Sequence, residues 1–320
     1  MEQAKVYRSA RPAEAAVGAL LDAIGAAPEA LSGALVAVKL DFGAQAAEAP
    51  APALVRALCD ALRARGASPF LTDCGAPEGN ALEALTAAAR LGYTQETVGA
   101  PCVLADGVRG EDYDLIPMRG GKFLRSCRVG RALTDADCIV SLTVAQAGSG
   151  FGYRGVLHAL GFGGSARPGK IEVQSTGQPV VDEAACIGCG KCTTVCEHGG
   201  ARIDPETGKA FIFKLRCAGC VRCKNVCPVG AIHPDFQMAD DKIRCKITEV
   251  AKALCDHRAH FHLALADGAL LASADPAALD AACADRLLAG DPDAETDCRA
   301  GIAHAAAIGL GSAKYAWVEL

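Results

Sequence analysis

Cys186-Ile-Gly-Cys189-Gly-Lys-Cys192-Thr-Thr-Val-Cys196 is followed, after twenty residues, by Cys217-Ala-Gly-Cys220-Val-Arg-Cys223-Lys-Asn-Val-Cys227-Pro228. Each half has the spacing C-x2-C-x2-C-x3-C. Three cysteines two residues apart can wrap one cubane, because the short loops set three thiolates around one centre. The fourth follows three residues later at the start of a helix and points elsewhere. Where two such runs share a domain, the fourth cysteine of each ligates the cluster of the other. The spacing therefore predicts one 4Fe-4S cluster on Cys186, Cys189, Cys192 and Cys227, and a second on Cys217, Cys220, Cys223 and Cys196.

The halves align at a period of thirty-one residues, with Gly188 on Gly219, Lys191 on Arg222 and Val195 on Val226. Glycines between ligands let backbone approach a cluster closely. Pro228 closes the second run; Glu197 stands in its place after the first. Residues 186–228 carry seven Lys or Arg against three Asp or Glu, in a chain of net charge -5. That local excess of positive charge suits an anionic, thiolate-bound cluster. Two zinc knuckles are the alternative, but zinc sites draw four ligands in two pairs rather than two runs of four.

Outside this stretch, strand-like and helix-like segments alternate. Leu35-Val-Ala-Val-Lys-Leu40, Pro69-Phe-Leu-Thr72, Cys102-Val-Leu-Ala105, Cys138-Ile-Val-Ser-Leu142, His260-Phe-His-Leu-Ala-Leu265 and Lys314-Tyr-Ala-Trp-Val-Glu319 read as strands. Helices are predicted over 11–25, through Leu54, Leu58 and Leu62 to Gly66, from Asn80 to Gly92, over 238–255, from Asp275-Pro276 onward, and over 296–308. Strands alternating with helices predict an α/β domain with a mostly parallel sheet flanked by helices. The cysteine segment interrupts it as an α+β two-cluster module. The predicted organisation is host domain 1–177, insert 178–236 and host domain 237–320.

Length, charge and composition narrow the function classes. A chain of 320 residues can bury a substantial core. Its mildly acidic balance argues against nucleic acid as a partner. No apolar run reaches the length of a membrane span, and the first residues lack the apolar stretch of a signal peptide. Of seventeen cysteines, eight fall in the two runs. Clusters persist in reducing compartments, so the expected location is cytoplasmic. The other nine cysteines read as small buried hydrophobes.

Together these residues resemble the domain-of-unknown-function family 362, in the version carrying an inserted bacterial-type ferredoxin domain. The pieces that carry the resemblance include Val38-Lys-Leu-Asp-Phe-Gly43, Gly66-Ala-Ser-Pro-Phe-Leu-Thr-Asp73, Asp135-Ala-Asp-Cys-Ile-Val140, Gly150-Phe-Gly152, Gly169-Lys170, Ser273-Ala-Asp-Pro-Ala-Ala-Leu-Asp280 and Ile308-Gly-Leu-Gly-Ser312. The resemblance implies a fold and clusters, not a substrate. Members it resembles carry a His before the Gly-Phe-Gly, a Lys-Asn pair after it and a later His. Here Ala147 or Gly148, Leu157-His158 and Gln174 occupy those places. A polar site built from those residues is altered or absent in this chain.

Four further features each have a functional and a plain reading. Gly150-Phe-Gly152-Tyr-Arg-Gly155 fits G-x-G-x-x-G with Glu172 downstream, but a tight turn suits it better than a dinucleotide site. Gly164-x4-Gly169-Lys170 is nearly a P-loop, with Ile171 where a Ser or Thr would bind magnesium. His257, His260 and His262, with Cys255 nearby, read as a packed or solvated set, metal binding being the alternative. Lys39, Asp41 and Asp73 follow the carboxyl ends of two predicted parallel strands, where open α/β sheets bind ligands; they mark a possible substrate crevice. The reading that results is an iron-sulfur protein with two 4Fe-4S clusters that exchanges electrons with a redox protein partner. The alternative is an oxidoreductase whose crevice binds a small molecule and is fed by the clusters.

Overall fold

The computed structural model describes residues 3–43, 48–75, 82–147, 153–176, 178–217, 222–235, 239–289 and 292–320, without the side chains of 292–297. The chain divides into two compact units: residues 1–167 with 244–320, and residues 168–243.

In the first unit the chain runs β1 (Ala4–Arg8), α1 (Ala13–Ala23), α2 (Pro28–Leu31), β2 (Leu35–Lys39), α3 (Pro52–Ala64), β3 (Ser68–Asp73), α4 (Leu82–Arg90), α5 (Gln95–Val98) and β4 (Cys102–Leu104). A hairpin of β5 (Tyr113–Pro117) and β6 (Ser126–Gly130) follows, then α6 (Arg131–Asp135), β7 (Cys138–Val144), the short β8 (Gln146–Ala147) and β9 (Tyr153–Arg154), and α7 (Val156–Gly164). The second unit holds most of α8 (Arg167–Gln174), then β10 (Pro179–Val181), α9 (Lys191–Thr194), β11 (Ala201–Ile203), β12 (Ala210–Ile212), α10 (Arg222–Asn225) and β13 (Ile232–Pro234). The chain returns to the first unit in α11 (Asp240–Cys255), β14 (Ala259–Ala266), β15 (Ala269–Ser273), α12 (Pro276–Leu287), α13 (Pro292–Ala307) and β16 (Tyr315–Glu319).

Eight of these strands form one sheet in the order β16-β1-β15-β14-β7-β2-β3-β4. All neighbours are parallel except β15, which is antiparallel to β1 and β14. The host is thus a mostly parallel α/β sheet, as its alternating elements predict. One face is apolar: Val36, Val38, Leu71, Val140, Leu142 and Leu263 pack with Val17 and Leu20 of α1 and Leu54, Leu58 and Leu62 of α3. Strand side chains alternate between faces, so the opposite face takes Lys39, Ser141 and His262. In register these form a line across five strands: Thr72, Lys39, Ser141, His262 and Ser273. All five are buried.

Among the elements the sequence did not predict are β1, β15, the β5–β6 hairpin and the short β8 and β9. β1 alternates Lys5 and Tyr7 with the buried Val6, and it is held by strands distant in sequence, Ala269–Ser273 and Tyr315–Glu319. The Gly150-Phe-Gly152 turn and the Asn80 cap lie outside the described residues. Residues 156–174 are mostly helical. Gly164 ends α7, and Gly169 and Lys170 sit inside α8, so the near-P-loop spacing does not form a phosphate-cradling loop.

The second unit carries the thirty-one-residue period into three dimensions. β10 and β12, α9 and α10, and β11 and β13 are each thirty-one residues apart. β10 pairs with β13, and β11 with β12, both antiparallel. Each strand pair therefore takes one strand from each repeat.

Candidate functional site

In the second unit, Cys186, Cys192 and Cys223 are buried and pack with Ala201, Ala210 and Ile232; Cys196 and Cys227 lie against this cluster. One pocket is lined by Cys186, Cys189, Cys192 and Cys227 together with Ile203 and Ile232. The first three cysteines of the first run thus meet the last cysteine of the second. Backbone N–H groups aim at the sulfurs: Ala210 N to Cys186 Sγ at 3.3 Å, and Gly200 and Ala201 N to Cys196 Sγ at 3.1 and 3.2 Å. The N–H groups of Ala210 and Gly188 hold the Cys186 thiol below its ordinary pKa, while burial raises that of Cys192. Glycine is required at two of these approaches. A Cβ at Gly188, whose φ is +67°, would sit 2.3 Å from the Gly208 carbonyl oxygen, and one at Gly200 would sit 3.0 Å from the Cys217 Cα. Cys220 lies outside the described residues.

The sheet-edge residues separate into two groups. Lys39 is 1% exposed. Its Nζ donates to Asp73 Oδ1 at 2.7 Å and to the Leu40 carbonyl at 2.6 Å. Asp73 also accepts from the N–H groups of Phe42 at 3.0 Å and Cys74 at 2.9 Å. Gly163 of α7 lies against the pair: a Cβ there would fall 2.6 Å from Lys39 Nζ. Asp41 instead faces a cleft beyond the carboxyl ends of β2 and β7, shared with Gln146, Arg154 and His158. Arg154 Nη2 donates to Gln146 Oε1 at 2.8 Å. Sequence reasoning did not place Arg154 and Gln146 there; they reach the cleft through β8 and β9, each two residues long and without a periodic signal.

Two other buried carboxylates serve the backbone. Asp280 of α12 accepts from Val156 N at 2.6 Å, Leu157 N at 3.1 Å and the Tyr153 hydroxyl at 2.9 Å, capping α7 from another helix. Burial raises its pKa to about 6 against those hydrogen bonds. Glu249 accepts from the N–H groups of Lys122 at 2.5 Å, Phe123 at 3.0 Å and Leu124 at 2.7 Å, and meets His304 Nε2 at 3.0 Å.

The histidine set resolves unevenly. His257 is exposed. His260 and His262 share a face of β14 and approach Cys255 at the end of α11, with all three ligand atoms within 4.8 Å of one another. His262 Nδ1 contacts Ser141 Oγ at 2.9 Å, and its Nε2 contacts His260 Nδ1 at 2.9 Å. Burial drives the His262 pKa well below its usual value and lowers that of His260. It pushes the Cys255 thiol up to about 12. The cysteine content and this group are compatible with a metal-binding protein.

A family description, "Domain of unknown function (DUF362)", matches residues 36–285. The chain belongs to the DUF362 family. The DUF362 match opens in β2, closes in α12 and includes the cysteine segment. No curated protein matches the chain. Among solved structures it is similar to the lactate racemase apoprotein from Thermoanaerobacterium thermosaccharolyticum, at 13% identity and a TM-score of 0.47. That similarity covers 87% of this chain and 55% of that one, so this chain spans about half the length of the racemase. Among the described residues of this DUF362 protein, no helix is long and apolar enough to cross a membrane.

Proposed function

We propose that residues 168–243 bind two 4Fe-4S clusters and that the protein passes single electrons to or from a redox partner. Cys186, Cys189, Cys192 and Cys227 hold the first cluster; Cys217, Cys220, Cys223 and Cys196 hold the second. The observation that carries this reading is the pocket in which Cys227 joins the first run of three. A pair of independent knuckles would keep each run of four to itself. The residues fit the group in two further respects. Backbone N–H groups aim at Cys186 and Cys196 Sγ and offset anionic charge there. Gly188 and Gly200 leave room where a Cβ would crowd the ligand loops. When bound, each cluster supplies one-electron redox chemistry. The chain's part is to supply the thiolates, donate hydrogen bonds to sulfur and exclude water with Ile203 and Ile232, which tune the potential.

The test is anaerobic purification with iron and sulfide counts and EPR of the reduced protein. About eight irons per chain are expected, with spin-coupled signals from two clusters. Cys189→Ser and Cys227→Ser should lose the same cluster, and Cys196→Ser the other. Full iron in Cys189→Ser, or Cys227→Ser matching Cys223→Ser instead, would sink the assignment.

A second reading is an oxidoreductase fed by the clusters. It rests on the cleft of Asp41, Gln146, Arg154 and His158 at the carboxyl edge of the sheet, where α/β folds bind ligands. Substrate-dependent reoxidation of the reduced protein that Arg154→Ala removes would favour it over transfer to a protein partner.

A further inference from the structure

Beyond the cysteine runs, the geometry points to a separate divalent-cation site on Cys255, His260 and His262, of a kind that takes Zn2+. Three donors arrive from two elements. The thiol comes from the last residue of α11, and the imidazoles come from positions i and i+2 of β14, which put both rings on one face. The ligand atoms lie within 4.8 Å of one another, and the two ring nitrogens that face each other are 2.9 Å apart. A tetrahedral Zn2+, with Zn–N about 2.0–2.1 Å and Zn–S about 2.3 Å, sets such donors roughly 3.3–3.6 Å apart. The observed donors bracket that spacing, from 2.9 Å between the ring nitrogens to at most 4.8 Å across the group.

The surroundings also suit an ion. Ser141 Oγ, on the neighbouring strand, contacts His262 Nδ1 at 2.9 Å. This fixes the ring and leaves Nε2 turned toward His260 and Cys255, the outer-shell contact that metal-bound histidines ordinarily make. The Cys255 thiol is buried and not part of a disulfide. A soft sulfur beside two imidazoles selects a borderline-soft cation such as Zn2+ over Mg2+ or Ca2+. Three protein donors leave one coordination position for water or a small ligand.

The experiment uses the anaerobically purified full-length protein, equilibrated with Zn2+, desalted and assayed for zinc and iron on the same sample. About one zinc per chain is expected in addition to the iron, with zinc-edge X-ray absorption showing one sulfur and two nitrogen ligands. Cys255→Ala should remove the zinc and leave the iron. Ser141→Ala should weaken zinc binding by roughly tenfold. Cys189→Ser should lower the iron and leave the zinc, which separates this site from the cysteine runs. If Cys255→Ala does not fold, His260→Gln, at a half-buried position, together with the wild-type absorption spectrum, decides. The inference is overturned by wild-type protein with no zinc, by zinc ligated through four sulfurs, or by zinc retained in His260→Gln and Cys255→Ala.

Discussion

The Lys39–Asp73 pair allows a sharp test, because the two residues are unequally supported. Lys39 Nζ has one carboxylate and one carbonyl, from Leu40. Asp73 has the ammonium and two backbone N–H groups, from Phe42 and Cys74. Removing the carboxylate charge leaves a buried ammonium without a countercharge, held only by neutral oxygens. Removing the ammonium leaves a carboxylate that still accepts two hydrogen bonds. Breaking a buried pair at one partner costs about 3–5 kcal/mol. Asp73→Asn should therefore lose about 3–5 kcal/mol, or roughly 6–20 °C in Tm for a domain of this size. Lys39→Met, which fills the same volume, should lose clearly less. The double variant should resemble Lys39→Met alone, giving a coupling energy close to the full Asp73→Asn loss, about 3–5 kcal/mol. The measurement is denaturant unfolding followed by circular dichroism, with iron content monitored in parallel. Asp73→Asn losing under about 1 kcal/mol, or additive single variants, would show that the pair does not hold the sheet edge as described. If instead both variants stay stable while substrate-dependent reoxidation is lost, the pair belongs to a binding site.

Two further predictions concern the helices that cover the sheet. Asp280 has a folded pKa near 6, above the unfolded carboxylate value, so the folded state binds its proton more tightly. Its stabilising contribution is present in full below the unfolded pKa and is lost as pH rises toward and through 6. Between pH 7 and 5, wild type should gain about 1 kcal/mol relative to Asp280→Asn; a constant difference across that range contradicts the burial argument. A Cβ on Gly161 of α7 would fall 1.9 Å from the Ile247 carbonyl oxygen of α11, so Gly161→Ala should destabilise by about 1–3 kcal/mol. Gly18→Ala in α1, with nothing within 4 Å, should instead stabilise by up to about 1 kcal/mol; equal signs for the two in thermal denaturation would refute the close approach.

Much of the host was legible because its strands are short apolar runs between helical segments. Val36 and Val38, Val140 and Leu142, and Phe261 and Leu263 all mark the α1–α3 face. The Leu54, Leu58 and Leu62 stripe gave α3 the same way, with Gly66 at φ +82° closing it. The strand β15 carried a signal too: Asp267-Gly268, with φ of 50° and 72°, is the hairpin dipeptide between Ala266 and Ala269. β1 carried little, since its pairing is settled by β15 and β16 some three hundred residues downstream. For the candidate sites, local spacing located the cysteine runs. The cleft at Arg154 and the approach of Cys255 to His260 depend instead on tertiary placement. The Lys39–Asp73 pairing was also hidden: both residues read as strand ends at a ligand-binding edge, and only the chain crossover that brings Asp73 beside Lys39 shows the pair.

The polar line across the sheet explains where the second face is stable and where it holds potential for binding. Thr72 Oγ1 donates to the Val103 carbonyl at 2.8 Å, and Ser273 Oγ donates to that of Lys5 at 2.8 Å. Lys39 is closed by a countercharge. Each of these groups is satisfied by a partner outside the line, the usual way a buried polar side chain offsets its desolvation. Ser141 and His262 differ: they bond along the line, and the chain of contacts continues through His260 toward Cys255. No backbone carbonyl or carboxylate terminates it among the described residues. The chain thus ends on the thiol and imidazole of the proposed cation site, whereas the same chain ending on a carbonyl would be structural only. Ser141→Ala discriminates these cases: a structural network would lose stability whether or not zinc is present, whereas a ligand-orienting serine would chiefly lose zinc affinity.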